Sequence, residues 1–84
     1  MSMARDPKDV SGLRLVRTEL AKRGIDTGKA DIRVTHGTVY LRGRFGTMKG
    51  SNIPDLRREM DLIGQVLRQK TGIKDVVIDC QYSN

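Results

Sequence analysis

A chain of 84 residues, 37% apolar and 31% charged, has the size and balance of one small soluble domain and leaves no room for a second. No apolar run approaches the roughly 20 residues that cross a bilayer, and a single cysteine excludes an internal disulfide. The net charge of +6 favours nucleic acid, an anionic lipid surface or an acidic protein as partner, with solubility alone as the competing explanation.

Residues 1–8 are polar, contain Pro7 and carry no hydrophobic period, which predicts a disordered tail ahead of a domain over 9–82. The same opening lacks the apolar segment of a secretory signal, and the unpaired Cys80 suits a reducing compartment, so the expected location is the cytoplasm. From Asp9 the pattern turns helical, with Asp9 or Ser11 as cap. Val10, Leu13, Val16 and Leu20 form one stripe, Leu15 lies off it, and Gly24 ends the helix behind Lys22 and Arg23.

"GIDTGKA" reads as a connector, followed by two alternating runs, "DIRVT" and "TVYLR", around His36-Gly37. A two-residue turn there sets Thr35 opposite Thr38, Val34 opposite Val39, Arg33 opposite Tyr40, Ile32 opposite Leu41 and Asp31 opposite Arg42. All the apolar pairs then share one face. "GRFGTMKGSNI" is expected to be a flexible glycine-rich loop. Asn52 should cap the next helix, with Pro54 in its first turn, and Leu56, Met60, Ile63 and Leu67 form its stripe, which Val66 widens. Gly72 closes that helix. In "IKDVVIDC", Val76, Ile78 and Cys80 alternate with Val77 and Asp79, the pattern of a third strand with one buried face. The order α-β-β-α-β predicts an α+β two-layer sandwich, with two helices on one face of a three-stranded sheet.

Carried on these elements, "IRVTHGTVYLRGRF" and "TGIKDVVIDC" resemble a BON domain over about residues 10–82. Gly37, Val39, Leu41 and Gly43 stand at the family's turn and second-strand positions, and Gly72, Ile73 and Val76 at the entry to its last strand. The resemblance implies a non-enzymatic binding or assembly module without a cofactor. It associates the chain with phospholipid or membrane-surface binding, or with side-by-side packing of small α/β units.

The residues themselves offer little for catalysis. One His and one Cys exclude multi-ligand Cys/His zinc sites. Cys80 fits the inward phase of its strand and His36 fits a turn. "GTMKG" matches neither a P-loop nor a KH clamp, since Gly46 and Gly50 are four apart and Ser51 follows directly. Its lead into a helix N-terminus still suits weak anion binding.

Two surfaces remain as candidates. The first is an anionic lipid site of Arg44, Phe45, Met48, Lys49, Arg57 and Arg58, where apolar side chains beside bases would insert at a membrane surface, placing the protein at its periphery. The competing reading folds Phe45 and Ile53 back over the core. The second is the uncovered face of the sheet, with Arg33, Thr35, Thr38, Tyr40, Arg42 and Val77 as a protein or self-interaction surface. Tyr40 between Arg33 and Arg42 also suits a single-stranded nucleic acid, a lesser reading because one aromatic makes a short stacking platform.

Overall fold

The computed structural model describes residues 7–83. Helix α1 (Pro7–Lys22) is followed by strands β1 (Ile25–Thr35) and β2 (Thr38–Thr47), helix α2 (Leu56–Arg68) and strand β3 (Asp75–Ser83), the predicted order. The sheet runs β1-β2-β3: β1 pairs antiparallel with β2, and β3 pairs parallel with it. Parallel pairing needs a long crossover, which α2 supplies. Helix α1 packs over β1 and α2 over β3, so both helices cover one face.

All five predicted hairpin pairs are present. His36 and Gly37 take φ of 51° and 86°, the two positive angles of a tight hairpin turn. Ile32, Val39 and Leu41 point into the core with Val16 and Leu20 of α1, Leu56, Met60, Ile63 and Leu67 of α2, and Val76 of β3. Gly64 lets α2 settle on β3, because a Cβ there would lie 3.2 Å from Ile78 Cδ1.

Several element boundaries differ from expectation. Helix α1 begins at Pro7, inside the predicted tail (residues 1–6 lie outside the described residues), with proline in the first turn where its missing N–H is not needed. Val10, placed on the stripe, is 39% exposed, whereas Leu15 is half-buried against the core. "GIDTGKA" is no connector but the start of β1. The pairing register shifts between Asp26 and Lys29, and Gly28 N–H donates to Asp26 Oδ1 at 2.9 Å, so turn-type residues sit in a bulge while Ile25 is fully buried beyond it. Residues 44–47, expected as loop, continue β2. Gly43 at φ 84° allows this: a Cβ there would stand 2.8 Å from the Lys29 carbonyl oxygen, so only glycine lets the two strands stay paired through the bend. The N-cap of α2 is Asp55, not Asn52; its carboxylate accepts from Arg58 N–H at 3.2 Å, and Pro54 precedes the helix.

The open sheet face and the end of the helix layer

Beyond the core-facing side chains, the opposite side of the sheet is built in rows across the three strands. From the hairpin turn downward they run Thr35–Thr38–Asp75, Arg33–Tyr40–Val77, Asp31–Arg42–Asp79 and Lys29–Arg44–Gln81. The structure therefore brings together all six residues predicted for this face. It adds Lys29 and Arg44, whose surroundings in sequence have the composition of a connector and a loop. Arg42 lies over the Tyr40 ring at 5.0 Å, Arg33 Nε pairs with Asp31 Oδ1 at 3.2 Å, and Arg44 Nη2 donates to Gln81 Oε1 at 3.0 Å. The Arg33 and Asp31 side chains remain 71% and 49% exposed, so this pair is open to re-pairing with a partner. Lys29, Arg44, Asp79 and Gln81 line a shallow depression over Gly43.

The charges of this face nearly cancel. Lys29, Arg33, Arg42 and Arg44 are set against Asp26, Asp31 and Asp79, while Asp75 at the rim pairs with Arg68 of α2 at 3.3 Å. The net +6 of the chain therefore resides almost entirely in the helix layer and its loops. There Arg14, Arg17, Lys49, Arg58, Lys70 and Lys74 form no ion pair with a described residue.

The predicted lipid site does not assemble as expected. Phe45 is a fully buried core residue of β2, because it continues the inward phase of Val39 and Leu41; it has no surface to offer a membrane. Arg44 points to the open sheet face instead. Ile53 is half-buried against the core. The segment after β2 is tied down, since Met48 N–H and Ser51 Oγ both donate to the Gly24 carbonyl at 2.9 Å. Met48, 41% exposed, and Lys49 form its outer tip, with Arg57 and Arg58 beyond it at the start of α2. Arg57 leans over the Tyr82 ring at 5.8 Å. The anion position at the α2 N-terminus is taken by the Asp55 carboxylate.

Cys80 lies half-buried on the core side of β3, and burial pushes its thiol pKa up, against nucleophilic use. His36 occupies the turn, where its backbone N–H donates to Asp9 Oδ2 at 3.0 Å. Among the described residues no group of three His, Cys, Asp or Glu could hold a metal, and no buried side-chain polar atom lacks a partner. No described helix is long and apolar enough to cross a membrane.

No protein-family model matches the chain, and neither a curated protein nor a solved structure matches it.

Proposed function

We propose that the chain is a non-enzymatic binding module, of the kind the BON resemblance implies, that works by packing its open sheet face against a protein. One observation carries this reading: a complete three-stranded face, uncovered by its own helices, sets opposite charges beside each other along β1 and across the Asp31–Arg42–Asp79 row and flanks them with Tyr40, Val77 and two threonines. Near-neutral faces with aromatic and short polar groups have the composition of protein interfaces, whereas a polyanion site needs an excess of bases. A photocrosslinker at Thr38, on the face, should capture a protein in cells, whereas one at the exposed Gln65 of α2 should not. Equal capture from both positions, or none from Thr38, would remove the reading.

The charge of the helix layer favours a second reading, electrostatic adsorption to an anionic phospholipid surface at the cytoplasmic membrane periphery. With Phe45 in the core and Ile53 half-buried against it, its strength comes from bases such as Lys49 and Arg58, with Met48 and, one turn beyond Arg58, Leu62 as exposed apolar groups. Co-sedimentation with anionic vesicles, absent with neutral ones and abolished by salt, is the expected result; equal and negligible binding to both overturns it.

A further inference from the structure

We propose that the partner of the open sheet face is a second copy of this chain, docked face to face about a two-fold axis that crosses the strands between the Arg42 row and the Tyr40 row. The inference rests on the protein-binding reading of that face and names its occupant.

The argument is one of charge register. Side chains two apart on a strand share a face. When two such neighbours are complementary, a two-fold axis perpendicular to the strand and passing between them sets each opposite its complement in the other copy. The face contains two complementary pairs in the same pair of rows: Asp31 with Arg33 on β1, and Arg42 with Tyr40 on β2. One axis serves both. It places Asp31 opposite the partner's Arg33 and Arg42 opposite the partner's Tyr40, each contact occurring twice. On β3 it sets Asp79 against the partner's Val77.

The flanking rows agree. Thr35 meets the partner's Lys29 and Thr38 meets the partner's Arg44, while the Asp75 carboxylate is held by Arg68 of α2 at 3.3 Å and stays out of the contact, so no like charges oppose anywhere in the four rows. Moving the axis onto the Arg42 row would oppose Asp31, Arg42 and Asp79 to themselves. Moving it one step further would set Arg42 against Arg44. An axis along the strands would oppose both arginines to themselves. Like-charge contacts of this kind disfavour those alternatives and leave one arrangement of full overlap.

Size sets the strength. Three strands about 4.8 Å apart, over nine paired rows about 3.3 Å deep, make a face on the order of 400 Å² per copy. That is below the roughly 800 Å² per partner of a standard stable complex, so the dimer is expected to be weak and concentration-dependent.

Sedimentation equilibrium of the full chain from micromolar to millimolar concentration tests this with Asp31→Arg and Arg33→Asp. The wild type should shift from monomer to dimer with concentration. Each variant alone should self-associate on the order of tenfold or more weakly, because its reversed charge meets a like charge twice. An equimolar mixture of the two should associate again, since every contact between Asp31→Arg and Arg33→Asp chains is attractive. A misfolded variant cannot produce that recovery, and the double variant D31R/R33D should likewise dimerise. A wild type that stays monomeric, variants that dimerise like wild type, or a mixture that fails to associate would each overturn the proposal. A monomeric wild type whose Thr38 crosslinker still captures a different protein would retain the face as an interface and remove only the second copy.

Discussion

Arg23 at the end of α1 donates from Nη1 to Glu59 of α2 at 3.0 Å, the direct ion pair between the two helices among the described residues. Its Nε simultaneously holds Glu19 at 2.7 Å, and Glu19 sits on the buried side of α1 with only 6% of its surface exposed. One guanidinium thus neutralises two carboxylates where the helices meet, and its hydrogen bond to Glu19 holds that carboxyl below the ordinary glutamate range.

Removing the shared guanidinium should be costly. Arg23→Ala is expected to lose about 1–3 kcal/mol, because it leaves Glu19 buried without its main partner. The pH dependence has a definite sign. With its folded value lowered, Glu19 contributes stability that is complete above the ordinary glutamate value and is lost as pH falls through the lowered one. Urea midpoints between pH 7 and pH 2 should therefore fall more steeply for the wild type than for Glu19→Gln; parallel curves would contradict this.

The hairpin turn depends on a distant carboxylate. Asp9 accepts from His36 N–H at 3.0 Å and Gly37 N–H at 3.2 Å, tying the start of α1 to the far end of the sheet. Asp9→Ala should destabilise by about 1–2 kcal/mol and speed amide exchange at residues 36 and 37, while Asp9→Asn, which keeps one acceptor oxygen, should lose less. Unchanged exchange in Asp9→Ala would show the contact to be dispensable.

Two glycines of similar φ should respond differently. At Gly43, alanine meets both an unfavourable φ and backbone atoms at 2.8 and 2.9 Å, so a loss above about 3 kcal/mol is expected. At Gly50, φ is 89° but nothing lies within 4 Å, and the strain alone should cost about 1 kcal/mol. Thermal melts of the two variants compare them directly; equal shifts would mean that crowding at Gly43 relaxes freely.

On β3, burial pushes the Tyr82 phenol up to about 12, and its neighbour Cys80 adds to the shift. A raised acid pKa keeps the proton on in the folded state, so stability should fall between about pH 10 and about pH 12, as the unfolded tyrosine ionises first. Tyr82→Phe should flatten that alkaline loss in denaturant midpoints. In the same region the Cys80 thiol should alkylate more slowly in the folded protein than in urea.

How much of this was legible depended on the range of the interactions. The hairpin was readable because a turn and a two-residue alternation fix register within a few positions, and its five pairs followed from Thr35 and Thr38. Phe45 was readable in principle, since it shares the phase of Val39 and Leu41, but Gly43 and Gly46 concealed the strand that carries it inward. The bulge hid Lys29 for a similar reason: Asp26, Thr27 and Gly28 have turn chemistry whether or not strands continue around them. The parallel partner of β2 left no local trace, so the rows that join Arg42 to Asp79 and Tyr40 to Val77 emerged only from the structure. Local sequence offers Asp9, like Ser11, only as a helix cap, because nothing local announces a bond across 27 residues.

The parallel pairing of β2 with β3 also bears on how the chain is made. The hairpin joins residues as close as Thr35 and Thr38, but the other side of β2 finds its partners only across the separation between Thr38 and Asp75. During synthesis the hairpin can close early, at low loop-closure cost, while the second edge of its central strand waits for residues 75–83 to leave the ribosome. Until then an apolar strand with an unpaired edge is exposed to other nascent chains. Truncation within residues 75–83 should therefore turn a folding protein into an aggregating one, a consequence of topology that no side chain on the finished surface reveals.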